Sequence, residues 1–264
     1  MIILITGVTS GFGRAMAQKL SEDGHTVYGT HRRDTEPIKG VHYIKADVQS
    51  DEDCRRAVQQ VLQEQGRIDV FINNAGMGIG GPLEFCSLEQ AQKQMDTNWM
   101  GMVRCLHWVL PAMRAQKQGK IICFSSIGGL MGLPFQGLYS ASKFAIEGYC
   151  EALRLETKKH GIKVVVIEPG DFATAFTASR NSVDTPEAHE AYPSYARSLA
   201  SIEKDETGGL KPEYLAKKIS RIVKLKNPHY HYIISTLEQR LSVFLKAILP
   251  PSWFAAILGS YYHL

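Results

Sequence analysis

The sequence has little cysteine, and what it has is not arranged for chemistry. Five cysteines stand at positions 54, 86, 105, 123 and 150. There is no Cys-x-x-Cys pair and no Cys/His cluster, so neither a zinc site nor a disulfide framework is indicated. Small buried thiols in a reducing compartment fit them better. Long hydrophobic runs are also missing. The longest uncharged apolar stretch, Ala247–Tyr262, has 16 residues and contains Pro250 and Pro251, short of the ~20 continuous residues of a spanning helix. No charged leader precedes Ile2–Ile5, which already read as a strand, so a cytoplasmic protein without a secretory signal is expected. Nor is there an excess of one charge. Lys plus Arg total 30 against 26 Asp plus Glu, too weak an imbalance to argue for a nucleic-acid partner.

What is present is an ordinary globular composition, with 44% hydrophobic and 21% charged residues, too apolar for a disordered chain. At ~150 residues per domain, 264 residues give one large domain or two small ones. Short β-branched runs alternate with helical patterns. Strands are expected at Ile2–Thr6, His25–Thr30, Tyr43–Ala46, Asp69–Asn73, Lys120–Ser125 and Lys163–Glu168. Between them come helices opening at Gly13, spanning Ser50–Gln65 with Gly66 as a C-terminal cap, opening at the Ser87-x-x-Gln90 capping box, and spanning Tyr139–His160. This rhythm predicts an α/β fold, a doubly wound parallel sheet of about seven strands with helices on both faces. No linker or repeat interrupts it, so residues 1–264 read as a single domain. Residues 174–209 are rich in Ser, Ala, Glu, Thr and Pro with little periodicity and read as a mobile insertion, a substrate lid or plain disorder. In such sheets ligands bind beyond the carboxyl ends of the strands. The loops after Thr6, Asn73, Ser125 and Glu168 should therefore converge.

The first of these loops is Thr6-Gly7-Val8-Thr9-Ser10-Gly11-Phe12-Gly13. A pyrophosphate needs backbone N–H groups and a positive helix end, and glycines let the backbone approach it. A tight turn would use the same residues, but a strand before and a helix after favour the nucleotide. Two further motifs follow, Asn73-Asn74-Ala75-Gly76 and Tyr139-Ser140-Ala141-Ser142-Lys143. Together with the G-x-x-x-G-x-G spacing, they resemble the classical short-chain dehydrogenases/reductases, from the first strand to about Thr174, and in particular the hydroxysteroid and retinol dehydrogenase-like members that prefer NADP(H). The resemblance implies a Rossmann-like fold, a nicotinamide cofactor, and a catalytic tetrad falling on Asn98, Ser126, Tyr139 and Lys143.

The residues support that chemistry by themselves. Tyr139 and Lys143 are four apart at the start of a helix and so share a face. A phenol of pKa ~10 is a poor proton carrier at neutral pH, and an ammonium beside it favours the phenolate. Bringing it to ~7 takes about 4 kcal/mol. Ser126, at a strand end, suits hydrogen bonding to a substrate oxygen. Asn98, by resemblance, holds a water that extends the relay from Lys143. The spacing recurs at Ser201, Tyr214 and Lys218, so context must decide. Ser126 follows an apolar strand, whereas Tyr214 and Lys218 fall in an amphipathic surface-helix pattern.

After the second strand comes His31-Arg32-Arg33, where NAD binders usually carry a carboxylate for the ribose. Guanidinium groups suit a 2′-phosphate by charge and fork geometry. By resemblance Arg32 is the NADP-selecting residue and Arg33 a helper; two solvated arginines would look the same. Ser10 stands where some NADP-preferring members carry a basic residue. The resemblance further puts Asp47 and Val48 at the adenine (helix capping being the other reading of Asp47), and Asn73, Asn74 and Ala75 along the cofactor cleft. Gly76 permits the turn. Gly7, Thr9, Ser10, Gly11, Phe12 and Gly13 surround the phosphates. Pro169, Gly170, Phe172 and Thr174 match the segment that holds the nicotinamide carboxamide.

The substrate is scarcely legible. Leu130, Leu133, Phe135, Phe172, Phe176, Tyr192 and Trp253 are candidate walls and lean toward a hydrophobic ketone or alcohol. Core or interface packing explains each of them more simply than substrate contact does. Leu241–Leu264, apolar with one lysine, should cap the cleft, enter a subunit interface or rest on a membrane surface, in that order. A homodimer or homotetramer is implied by resemblance. His229 and His231 share one face of an expected last strand and, with no carboxylate in view, read as ordinary strand residues rather than metal ligands. The expected function is an NADP(H)-dependent oxidoreductase that moves a hydride between nicotinamide and a carbonyl or secondary alcohol. A nucleotide-sensing protein on the same fold is the alternative.

Overall fold

Alternate residues of the central strands are buried on opposite faces, and that alternation splits the core in two. The computed structural model describes residues 1–264. Its nine strands are β1 (Ile2–Ile5), β2 (Thr26–His31), β3 (Val41–Lys45), β4 (Val70–Asn73), β5 (Ile79–Gly80), β6 (Gly119–Phe124), β7 (Ile162–Pro169), β8 (Asn181–Ser182) and β9 (His231–Ile234). Seven form one sheet in the order β3-β2-β1-β4-β6-β7-β9. All its pairings are parallel. The two-residue strands β5 and β8 pair apart from it.

The helices are α1 (Gly11–Glu22), α2 (Asp51–Gln65), α3 (Leu88–Met95), α4 (Gly101–Gln116), α5 (Gly137–Thr157), α6 (Ala175–Ser179), α7 (Pro186–Ala191), α8 (Tyr195–Thr207), α9 (Pro212–Lys224), α10 (Leu237–Ile248) and α11 (Pro251–Tyr261). Leu4, Phe71, Ile121 and Val164 pack with Val58 and Val61 of α2, Leu106 and Val109 of α4 and Ile146 of α5. Their neighbours Ile3, Ile5, Ile72, Ile122 and Val165 face the other way, onto Met16 and Leu20 of α1 and Leu215 and Ile219 of α9. Burial on both faces is why the strands read as continuous apolar runs. The fold class expected from the sequence is therefore the one observed, with strand bounds moved by one or two residues.

Local signals account for the helix ends. The Ser50 hydroxyl accepts from Asp53 N at the start of α2, and Gly66 closes it at φ +71°. The Ser87/Gln90 capping box opens α3. The expected single long helix is interrupted by a π-turn over Asp96–Met100, which carries Asn98 and leads into α4; such turns gather at functional sites. The carbonyls ending α9 are satisfied by Lys120, whose buried ammonium donates to Ile222, Val223 and Leu225.

Residues 174–209 form α6, β8, α7 and α8, and Tyr195, Ser198 and Ile202 are buried, so the segment is folded rather than plainly disordered.

Candidate active site

The sheet order reverses between β1 and β4, and a cavity of about 1010 Å³ opens at the carboxyl ends of the strands. The loops after β1, β2, β3, β4, β6 and β7 all contribute to it. At one end lies a glycine cradle. Gly7 and Gly11 adopt φ of +73° and +51°, which side chains with a Cβ rarely adopt. A Cβ on Gly13 would stand 1.9 Å from the Gly7 carbonyl oxygen. Asn74 pins the loop, its Nδ2 donating to the carbonyls of Thr6 at 3.0 Å and Gly7 at 2.9 Å. At the start of α1, Ser10 makes no side-chain capping bond, so the first N–H groups of the helix remain open to an anion. A dinucleotide pyrophosphate fits these residues.

Beyond the cradle, His31, Arg32, Arg33, Asp47 and Val48 line the same cavity. Arg32 Nη1 lies 3.7 Å from Asp47 Oδ2, both side chains partly exposed. Asp47 also shapes the turn into α2, its Oδ1 accepting from Gln49 N at 3.0 Å and its N–H donating to Asp53, while Ser50 is the N-cap. Of the Asn73-Asn74-Ala75-Gly76 segment, Asn74, Ala75 and Gly76 reach the cavity, while Asn73 is buried in β4 and does not. Pro169, Gly170, Phe172 and Thr174 also line it. Phe172 packs edge-on against Phe12 at 4.9 Å, and the Thr174 hydroxyl accepts from Phe176 N to start α6.

Ser126, Tyr139 and Lys143 meet in this cavity. Lys143 Nζ is 5.5 Å from the Tyr139 ring centre and donates to the Phe124 carbonyl at 2.8 Å. Burial pushes the ammonium's pKa down to about 8, with the Glu147 carboxylate opposing. Burial pushes the Tyr139 phenol up to about 12, while the Ser126 hydroxyl pulls it down. The carboxylates of Glu206 and Asp171 raise it further, and Arg180 lowers it. Ser126 Oγ accepts from Gly128 N at 3.0 Å. Asn98 is buried outside the cavity lining, with Nδ2 donating to the Met77 carbonyl and Ser142 Oγ, and Oδ1 accepting from Met77 N. Both its amide hydrogens are thereby engaged.

A model of the short chain dehydrogenase family matches residues 1–185. The chain belongs to the short-chain dehydrogenases. Such an enzyme is an oxidoreductase acting on CH–OH or C=O groups with NAD(H) or NADP(H). This short-chain dehydrogenase is 49% identical over 262 residues to the 3-ketodihydrosphingosine reductase of Bacteroides thetaiotaomicron, covering 99% of this chain and 97% of that one. It is 30% identical to human 17-beta-hydroxysteroid dehydrogenase type 1, covering 95% and 82%. A short-chain dehydrogenase structure from Streptomyces avermitilis superimposes with a TM-score of 0.82 at 27% identity, covering 99% and 96%.

Several details of this dehydrogenase depart from its sequence reading. Leu133, Phe172 and Phe176 do line the cavity, but Leu130, Phe135, Tyr192 and Trp253 do not. Phe135 packs at a tilt against Tyr195, Tyr192 donates to Glu84, and Trp253 is exposed while its neighbour Phe254 is buried. Phe254, Ile257, Leu258, Tyr261 and Tyr262 supply the apolar wall instead, so 241–264 covers the cleft. The second Ser/Tyr/Lys spacing is a surface feature. Lys218 lies over the Tyr214 ring on α9, and Ser201 faces His263. His229 lies outside β9. His231 has two carboxylates beside it, Glu147 and Glu168, which its local sequence does not reveal. Asp171, Arg180, Ile202 and Glu206 also escaped the sequence reading, since no local pattern marks a charged or apolar residue that folds inward from a distant loop.

No helix of the structure is long and apolar enough to cross a membrane.

Proposed function

We propose that this enzyme reduces a hydrophobic ketone at the expense of NADPH, with Tyr139 as the proton donor. The observation carrying the reading is that Ser126, Tyr139 and Lys143 line one cavity with the glycine cradle and the apolar wall. The bound dinucleotide supplies the hydride. Everything else falls to the chain. Gly7, Thr9, Ser10, Gly11 and Phe12 hold the pyrophosphate, Gly13 lies outside the cavity lining and lets α1 approach Gly7, and Arg32, with Arg33 beside it, selects the 2′-phosphate. Ser126 donates to the substrate oxygen and orients it. Tyr139 then gives that oxygen its proton.

A high phenol pKa suits this direction. At neutral pH Tyr139 stays protonated and loaded, and the proton leaves only as negative charge develops on the substrate oxygen. The Lys143 ammonium then stabilises the phenolate left behind. Burial makes that phenolate costlier to form than an exposed tyrosine's, so a cation beside it matters more. Asn98 acts on this relay by fixing Met77 and the Ser142 turn of α5, the turn that also carries Lys143.

The relative named for 3-ketodihydrosphingosine favours a long-chain ketone as the first compound to test. By the same reading the enzyme is a cytoplasmic homodimer or homotetramer without nucleic-acid partners, its five free thiols suiting a reducing compartment. Residues 174–209 close over the substrate. The test is NADPH consumption by purified enzyme against long-chain and short polar ketones, with NADH in parallel and Tyr139→Phe as control. We expect turnover of the long-chain ketones with NADPH, and a loss of at least 1,000-fold in Tyr139→Phe with NADPH binding retained. Full turnover by that variant overturns the mechanism.

A further inference from the structure

The substrate end of the cavity contains more negative charge than a neutral ketone needs. Asp171, Asp205 and Glu206 all line it, beside the apolar residues of α8 and α11. One of the three is paired with a cation, and another lies against a tyrosine hydroxyl. Glu206 is ion-paired with Arg180, whose side chain is almost wholly buried, and accepts from the Thr177 hydroxyl at 2.6 Å. Asp205 accepts from the Tyr261 hydroxyl.

Asp171 is different. Its Oδ2 accepts from the neutral amide of Gln239 at 2.5 Å, and its Oδ1 accepts no hydrogen bond. It forms no ion pair. Gln239 is itself fixed by the capping box that starts α10, so the carboxylate is held in place rather than free to swing into solvent. Its residue lies two places beyond Pro169, in the loop following β7, and its charge reaches the Tyr139 phenol. Burial, with Glu206 and Asp205 nearby, pushes its pKa up to about 6. The Gln239 amide and the Arg180 guanidinium oppose that rise, but Arg180 is ion-paired with Glu206, so no cation is bonded to Asp171 and its half-buried carboxylate keeps one oxygen open to a cation brought by the ligand.

We propose that Asp171 is the counter-ion for a substrate ammonium placed near the reacting carbonyl, so that the enzyme selects cationic, long-chain amino ketones over neutral ketones of the same length. The inference rests on the ketone-reductase reading above and specifies the substrate's charge. The alkyl chain lies against Phe254, Ile257 and Leu258, the ammonium faces Asp171 Oδ1, and the carbonyl oxygen meets Ser126 and Tyr139. Ion pairing leaves the redox chemistry unaltered and acts on binding and orientation.

The experiment compares 3-ketodihydrosphingosine with the ketone of the same chain lacking the amine, each with NADPH, in wild type and Asp171→Asn. The readout is the ratio of kcat/KM for the amine over the deaminated ketone. A structural role for Asp171 would lower both values together and leave the ratio fixed. We expect the ratio to favour the amine in wild type and to fall about tenfold or more in the variant, chiefly through KM, as loss of a charge-assisted contact implies. A ratio that moves less than twofold overturns the proposal.

Binding of the saturated amino alcohol product, against the corresponding diol without the amine, supplies a readout independent of turnover. If neither ketone is reduced but the amine binds at least tenfold tighter than the diol, and Asp171→Asn removes the difference, the reductase reading fails while the cation site stands. Equal binding of amine and diol removes the site.

Discussion

Lys143 Nζ lies 5.5 Å from the centre of the Tyr139 ring, one helical turn along α5. Its pKa is lowered to about 8 by burial. The free enzyme therefore loses this cation, and with it the stabilisation of the phenolate, as the pH rises through about 8. The expected kcat/KM for NADPH-dependent reduction is flat from pH 6 to 7.5 and falls by about tenfold per unit above the limb. A pH profile between 6 and 10 measures it, and an unbroken plateau to pH 10 would contradict the assignment.

Arg32, 3.7 Å from Asp47, is held at the rim of the cavity without being buried. Arg32→Asp is expected to raise KM for NADPH by about 10- to 100-fold, the loss of one charge-assisted contact of roughly 1.5–3 kcal/mol. KM for NADH should change by no more than about threefold. Steady-state kinetics with both dinucleotides decide it. A variant that keeps its NADPH preference places the 2′-phosphate elsewhere.

Neighbours 253 and 254 give a paired test of the C-terminal wall. Phe254 is 5% exposed and Trp253 is 66% exposed. Phe254→Ala is expected to lose about 3–5 kcal/mol of stability and to raise KM for long-chain ketones. Trp253→Ala should stay within about 0.5 kcal/mol of wild type. Urea denaturation and substrate titration separate the two.

Glu168 has no exposed side chain, contacts His231 and accepts from Tyr232 N at 3.0 Å. Burial raises its pKa from 4.5 to about 8. In this window the folded protein holds a proton that the unfolded chain releases, so this group's contribution to stability declines as pH rises from about 4.5 to 8. Glu168→Gln keeps an acceptor for Tyr232 and removes the titration. Unfolding midpoints at pH 5 and pH 8 should differ less in the variant than in wild type. An equal difference would mean that the carboxyl is ionised in the fold across the whole window.

The sheet and the dinucleotide cradle were legible because each rests on local physics. Val164, Val165 and Val166 are apolar in succession since both faces of β7 are covered, and Gly13 is required by contact with Gly7 six residues away. The tyrosine and lysine could be paired because one helical turn joins them. The substrate wall was not legible for an equally physical reason. In Pro251–Tyr261 nearly every residue is apolar, so no periodicity says that Phe254 turns inward and Trp253 outward. Residues 174–209 concealed their helices because α6 and α7 have only five and six residues, and the buried face of α8 mixes Tyr195 and Ile202 with the polar Ser198 and Glu206. Asp171 and Arg180 acquire meaning only when α8 brings Glu206 beside them. The π-turn around Asn98 carries no sequence mark distinct from an ordinary helix.

All of the sheet lies before Ser235, and the apolar wall from Phe254 to Tyr262 lies after it. Tyr139, Lys143 and the glycine cradle thus belong to one stretch of chain, and much of the cavity's apolar wall belongs to another. Such a division makes the last thirty or so residues an interchangeable part. Under the proposed function, grafting α10 and α11 between relatives would alter the apolar wall and leave Tyr139, Lys143 and the glycine cradle in place.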